Sequence, residues 1–362
     1  MNKIYILKFF DALFGKMFCH FLLKPHRQAT FLRPISKILI IRPGGIGDAV
    51  LVLPLIKALK KKHPDILIDI LAEKRNSAIF FLCADIQKIY HYEKPHELLP
   101  VIRGNYDAVI DTEQWHRLSA VVARLSRAPM LIGYATNERR KLFTHPIPYS
   151  HNVHEIDAFL RLLAPIVGDN CTSAAEERFI SIPHELSKSV EPFLRPLVGK
   201  KLVVIFPGGS IKKKRWETIR YREAAMRLMK QGYGIVIVGG KMDISIGNEI
   251  VNNQSNIVNL CGTLTLLETA AVLHKSALLI SGDSGILHIA SALGTRVLAL
   301  FGPSNIKKWA PRSEHSFIMS KYLSCSPCSK FGYTPRCKND LACMEQITVN
   351  EVFENAVKLL ER

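Results

Sequence analysis

The chain has no apolar run approaching the ~20 residues that a membrane-crossing helix needs, so nothing in it reads as a transmembrane span. None of the usual nucleic-acid-binding motifs is present, which removes the main support for a nucleic-acid partner. Met1–Leu23 does not read as a cleavable secretory signal: Asp11 interrupts its middle, and no small-residue cleavage site follows a clean apolar core. Together these absences predict a cytoplasmic protein. Acidic residues are also scarce, with 31 Asp+Glu against 49 Lys+Arg and a formal net charge of +18. Such a field favours anionic partners, here an acidic membrane surface or phosphorylated substrates. The first Gly-rich turn, Arg42-Pro43-Gly44-Gly45-Ile46-Gly47-Asp48, contains no G-x-G-x-x-G and no Gly-Lys-Ser/Thr ending. It is therefore neither the dinucleotide fingerprint nor a P-loop.

What is there is a chain of 362 residues, 48% apolar and 22% charged. That is an ordinary balance for a globular protein and more chain than one core comfortably fills, so two domains are expected. The most informative stretch is Leu278–Ser304. An apolar run halts at Ser281-Gly282-Asp283-Ser284-Gly285, a pattern of helical period (Ile286, Ile289, Ala290, Leu293) runs to Gly294, and a second buried run, Val297–Phe301, follows. This is a βαβ crossover whose turn belongs at the carboxyl edge of a parallel sheet, where open α/β folds bind ligands. Ser284 and Gly285 would open the helix with free N–H groups suited to a phosphate. Asp283 would repel a phosphate, so its carboxylate either caps the helix or accepts hydroxyls from a sugar.

The same strand, Gly-rich turn, helix pattern occurs earlier. Ile38–Ile41 leads through Gly45 and Gly47 to Asp48 and a helix from Ala49 to Lys62. A carboxylate at that mouth is either an N-cap or a base. Strands near Ile66–Leu71, Lys88–Tyr90, Tyr106–Asp111 and Met130–Tyr134 alternate with helical stretches, as in a doubly wound domain. Arg139, Arg140 and Lys141 form a basic run that is either solvated or turned toward an acceptor. His151 and His154 lack a third ligand, so a capped helix start is the better account of them. After a link through Gly168–Glu191, Leu202–Phe206 breaks into Pro207-Gly208-Gly209-Ser210 and four consecutive cations, Lys212 to Arg215. Ser210 and Lys214 there would suit a diphosphate. A third loop, Gly239-Gly240-Lys241-Met242-Asp243, follows another strand. If every strand is parallel, all three loops meet on one sheet edge and make a nucleotide site.

The two ends of the chain differ from this middle. Residues 1–35 interleave apolar positions, rich in Phe, with Lys3, Lys8, Lys16, Lys24, Arg27 and Arg33. They read as a basic amphipathic helix that lies either on an anionic membrane or on the protein's own core. Near the other end, Cys325, Cys328, Cys337 and Cys343 are spaced as two pairs that could hold structural zinc, although five residues separate the second pair where two to four is usual. The competing reading is a reduced Cys-rich loop. Expected domains are thus a basic segment over 1–35, a doubly wound domain over 36–185, a second domain with a nucleotide site over 186–320, and a tail with a closing helix over 321–362.

Taken in order, ILIIRPGGIGDAVLVLP (38–54), FPGGSIKKKRW (206–216), the stretch 281–302 and the Cys-rich tail resemble glycosyltransferase family 9, the bacterial lipopolysaccharide heptosyltransferases. The resemblance runs from about Lys37 to the end. It implies a GT-B architecture, two Rossmann-like domains of parallel sheet facing a cleft, with the acceptor bound by the first (36–185) and the nucleotide-sugar by the second (186–320), and with the C-terminal helix often returning to the first domain. It also implies ADP-L-glycero-D-manno-heptose as donor, a lipid A/Kdo inner-core acceptor, inversion at the transferred carbon, no required cofactor or metal, and a place at the inner membrane face. Asp48 matches the family's catalytic base, Ser210 and Lys214 its donor-phosphate contacts, and Asp283, Ser284, Gly285 and His288 its donor-binding turn. Gly45, Gly47, Arg139 and Arg140 fall on the acceptor side. Where several members place an acidic residue to hold the ribose this chain departs, offering Lys241-Met242-Asp243, with Asp243 as the available carboxylate. Two alternatives stand beside this reading: a GT-B enzyme that uses another sugar nucleotide, and a non-catalytic nucleotide-sugar-binding protein.

Overall fold

Ile38, Leu39, Ile40 and Ile41 have no solvent exposure at all. A run of large aliphatic side chains buried on both faces is what a central parallel strand requires, and this strand lies in the middle of the first of two sheets. The computed structural model describes residues 11–22, 34–168, 178–254, 256–330 and 333–362. The expected N-terminal helix is therefore described only over 11–22, and residues 169–177 of the expected link lie outside the described residues.

The chain divides into two units, Met1–Ala174 and Ala175–Arg362. In unit 1 the strands are β1 (Lys37–Arg42), β2 (Leu67–Ala72), β3 (Lys88–His91), β4 (Ala108–Asp111), β5 (Met130–Tyr134) and β6 (His145–Ile147). They are ordered β3-β2-β1-β4-β5-β6 and every neighbouring pair is parallel. In unit 2 they are β7 (Leu202–Phe206), β8 (Gly234–Ile237), β9 (Ile257–Asn259), β10 (Leu278–Gly282), β11 (Arg296–Leu300) and β12 (Ser316–Met319). Their order is β12-β11-β10-β7-β8-β9, again wholly parallel. Counted from its own first strand, each sheet reads 3-2-1-4-5-6, the doubly wound order in which the chain reverses direction beside the first strand. Ligands bind at that switch point, beyond the carboxyl ends of β1 and β4 in one unit and of β7 and β10 in the other.

The helices that frame these edges are α1 (Lys16–Phe21), α2 (Ile46–Lys62), α3 (Leu118–Leu125), α4 (Glu155–Arg161), α5 (Thr218–Lys230), α6 (Leu266–His274), α7 (Gly285–Ala292) and α8 (Val349–Glu361). Among the described residues no helix is long and apolar enough to cross a membrane. His154 caps α4, its ring nitrogen accepting the Ile156 N–H at 3.3 Å, so the capped-start reading of that histidine holds. The short edge strands β6 and β12 were not foreseen. In addition, α8 buries Val352, Ala356, Leu359 and Leu360 in the core of unit 2 alongside Trp216, Tyr221 and Leu228 of the α5 region. The Trp216 ring N–H also donates to the Ile347 carbonyl at 2.9 Å just before α8. The closing helix therefore packs within the core of unit 2.

Candidate active site

In unit 2 the three Gly-rich loops do converge. Gly282, the last residue of β10, has no side chain, and a Cβ there would fall 2.7 Å from the Lys214 carbonyl. Only glycine lets the loop after β7 lie against the end of β10. That contact delivers the Lys214 ammonium to Asp283, where Nζ and Oδ2 are 2.6 Å apart. The Ser304 hydroxyl donates to the same carboxylate oxygen, and His288 Nε2 lies 3.9 Å from the other. Burial by itself pushes the Asp283 carboxyl up, but Lys214, His288 and Ser304 outweigh it and hold the group below the usual carboxylate range. Asp283 is therefore ionised and committed to Lys214. The cap of α7 is Ser284, whose hydroxyl accepts the Leu287 N–H at 3.2 Å, and α7 begins at Gly285. Its first turn points unpaired backbone N–H groups and the positive end of the helix out of the sheet edge.

Asp243 joins the other two loops. It is 7% exposed and accepts the Gly240 N–H at 3.0 Å. A Cβ at Gly208 would fall 2.7 Å from both of its oxygens. Its Oδ1 receives no hydrogen bond from a described residue, so one carboxylate oxygen stays available beside Gly208. Ser210 is exposed and makes no hydrogen bond with a described residue. The cation run is more than a solvated charge patch: Lys213 donates to the carbonyls of Thr334 and Pro335, Arg215 donates to the Gly209 carbonyl, and Lys214 holds Asp283. Lys212 is the exposed member.

In unit 1 the loop after β1 turns through Gly44 (φ +102°) and Gly45 into α2. Asp48 stands in the first turn of α2, but the N-cap position is Gly45 and no side chain caps this helix. A Cβ at Gly45 would lie 2.9 Å from Asp48 Oδ2. Among the described residues no hydrogen bond or ion pair engages the Asp48 carboxylate, which removes the N-cap alternative and leaves the group available.

Beneath it lies a buried charged cluster that short-range reading missed. Arg42, 1% exposed, is 3.1 Å from Glu113 Oε2 and donates to the Thr112 and Pro43 carbonyls. Burial would depress this guanidinium, but the negative charges of Asp48 and Glu113 raise it instead. Arg42 is thus a fixed positive charge under Asp48. Burial likewise pushes Glu113 up, and Arg42, His116, Arg139 and the Trp115 N–H together more than reverse it. Gln114 and Tyr149 both donate to Glu155, at 2.6 and 3.0 Å. A signal was present in the sequence, since Arg42 is the charge that ends a wholly apolar run. Its partner lies 71 residues away, and only the β1–β4 pairing supplies it.

Arg139 requires correction. Its side chain and that of Asp111 have no exposure, and they pair at 2.5 Å between the end of β4 and the turn after β5. It braces the sheet edge and cannot present charge to an acceptor, whereas Arg140 is exposed. At the C-terminal cysteines, Cys343 is buried against Gly302, Cys325 is exposed, and all four are free thiols. Among the described residues no three His, Cys, Asp or Glu side chains are arranged to hold a metal.

These geometries can be set beside known proteins. A profile of glycosyltransferase family 9 (heptosyltransferase) matches residues 96–337. Lipopolysaccharide heptosyltransferase 3 of Escherichia coli is 29% identical over 292 residues, covering 74% of this chain and 84% of that protein. Among solved structures, a family 9 glycosyl transferase from Veillonella parvula DSM 2008 superimposes with a TM-score of 0.77 at 20% identity, covering 91% of this chain and 98% of its own. The ADP-heptose lipopolysaccharide heptosyltransferase II of E. coli gives 0.76 at 20% identity, covering 90% and 99%. With the profile spanning more than half of it, and with two parallel six-stranded α/β units, this chain belongs to glycosyltransferase family 9, the heptosyltransferase family, and is a GT-B glycosyltransferase.

Proposed function

We propose that the protein transfers a heptose, with inversion, from ADP-L-glycero-D-manno-heptose to the lipid A/Kdo inner core of lipopolysaccharide, working on the cytoplasmic side of the inner membrane. The observation that carries the reading is the Asp48 carboxylate, which among the described residues makes no hydrogen bond or ion pair, caps no helix, and stands over a buried guanidinium at the mouth of a parallel sheet. A carboxylate without a hydrogen-bond or ion-pair partner among the described residues is free to take the proton of an acceptor hydroxyl as that oxygen attacks the anomeric carbon. In unit 2, Lys214 and the N-terminal turn of α7 meet the negative charge that grows on the departing diphosphate, while Asp283 holds Lys214 in position. The free oxygen of Asp243 is the group for the ribose. Transfer needs no metal in this scheme, and the C-terminal cysteines are proposed as free thiols in preference to a zinc site, because Cys343 is buried in the core of unit 2 while Cys325 is exposed.

Replacing Asp48 by Asn tests the assignment. Loss of a general base costs typically ~10²–10⁴-fold in turnover, so D48N should fall by that factor while ADP still raises its melting temperature; near-normal turnover would remove Asp48 from the role. Melting shifts with ADP, UDP and GDP also identify the nucleotide, since a ligand stabilises only the fold that binds it. Protection by UDP or GDP alone would favour the reading in which another sugar nucleotide is the donor. Turnover that survives exhaustive chelation, in protein carrying less than stoichiometric zinc, is the expected result for both metal statements.

A further inference from the structure

The N-terminal helical segment is fixed on one side and open on the other. Asp11, 5% exposed, accepts the backbone N–H groups of Arg117 and Leu118 at 2.7 and 2.8 Å, supplying the start of α3 with a cap from more than a hundred residues upstream. Cys19 and Leu22 pack into the core of unit 1. This resolves the two sequence readings differently from the expected either-or, because the segment is docked on its own domain and still leaves an apolar face outside. Met17, Phe18 and Phe21 are 41, 42 and 74% exposed. Positions i, i+1 and i+4 share one side of a helix, and large apolar groups clustered in solvent mark an interaction surface.

Charge indicates what that surface meets. A groove of about 350 Å³ runs beside the stripe, with Lys16 and Lys141 on its walls. Neither ammonium makes a hydrogen bond or ion pair with a described residue. The nearby acid, Glu138, is already taken by Arg117 at 2.7 Å, and the residue before Lys141 in the chain, Arg140, is exposed. The first 36 residues hold six Lys/Arg and a single acid, Asp11, which is buried as the cap. A second copy of a chain carrying +18 would be repelled, whereas an anionic bilayer attracts the lysines and receives the aromatic rings at its headgroup level.

We propose that Asp11–Phe21 is an interfacial anchor whose Met17/Phe18/Phe21 face enters an anionic lipid surface while Asp11 bolts it to unit 1. This rests on the reading of the acceptor as a membrane lipid and names the surface that reaches it. The test uses the full chain with phosphatidylcholine vesicles, with and without phosphatidylglycerol, read by flotation. Wild type should partition at least about tenfold more strongly onto the anionic vesicles, and the double variant Phe18→Ser/Phe21→Ser should lose about tenfold or more of that binding. Lys16→Glu should weaken it and flatten its salt dependence. All three proteins should melt alike, since the altered groups are exposed. Equal binding by wild type and the serine variant, or equal binding to neutral and anionic vesicles, would overturn the anchor. So would a dimer in solution that the serine substitutions abolish. Turnover on a deacylated, water-soluble acceptor separates the two claims: activity there without vesicle binding sinks the anchor alone, and vesicle binding without activity on any acceptor sinks the heptosyl-transfer reading alone.

Discussion

Two carboxylates of this protein stand at the carboxyl edges of their sheets, Asp48 beyond β1 and Asp283 beyond β10, and behave differently because of what each touches. Asp283 is neutralised by Lys214 at 2.6 Å with Ser304 in support; Asp48 makes no hydrogen bond or ion pair with a described residue and stands in the field of Arg42. Removing the partner of a buried charge is costly, typically about 3–5 kcal/mol. Lys214→Ala should therefore both weaken donor binding and lower unfolding free energy by a large part of that range, measured by urea titration. The pH dependence follows from the sign of the shift. The Asp283 carboxyl is held below its ordinary value in the folded protein, so its contribution is complete above about pH 4 and is lost as pH falls through the folded value. The stability gap between wild type and K214A should accordingly be widest near neutrality and close in acid. At Gly45 the prediction concerns geometry. A methyl group there meets Asp48 Oδ2 at 2.9 Å, so Gly45→Ala should lower kcat with little change in KM for the donor, a split that steady-state kinetics resolves.

At the scale of elements, what could be read from the sequence follows burial. β1, β7 and β10 are continuous apolar runs with almost no exposure, and such runs between Gly-rich turns are legible. β6 is three half-buried residues around Pro146, and β12 alternates partly exposed positions at a sheet edge; neither carries a pattern of its own, and each is fixed by its neighbour strand. The same contrast applies to the site. The convergence of three loops was legible because parallel strands place every βα turn on one edge. The pairing of Lys214 with Asp283, 69 residues apart, and the burial of Arg139 on Asp111 depend on strand order, which no local pattern encodes. Arg139 and Arg140 are adjacent and chemically alike, yet one is a brace and the other lies in solvent. The contact between β10 and the β7 loop has a direct test. Gly282→Ala puts a methyl group 2.7 Å from the Lys214 carbonyl, and backbone cannot yield as a side-chain tip does. It should displace Lys214, abolish protection by ADP and reduce thermal stability, whereas Ala at exposed Ser210 should cost stability nothing.

At the scale of the molecule, a formal charge of +18 acts on encounter more than on chemistry. Raising ionic strength from about 0.05 to about 0.5 M shortens the screening length from roughly 14 to roughly 4 Å. kcat/KM for a phosphorylated acceptor should then fall several-fold while kcat changes little, since steering is a rate effect on association.

The strand order also bears on synthesis. In each half the strand that leaves the ribosome first ends up innermost. β1 gains β2 on one flank soon after it emerges, but its other flank pairs Ile38 with Ala108, so that edge stays open while the intervening segment is made. β7 waits in the same way, with Val203 pairing Leu278. Each nascent half thus exposes a greasy, hydrogen-bond-hungry strand edge for about 70 residues of its translation, and holding that edge apart from its neighbours is the task that chaperones would meet in this protein.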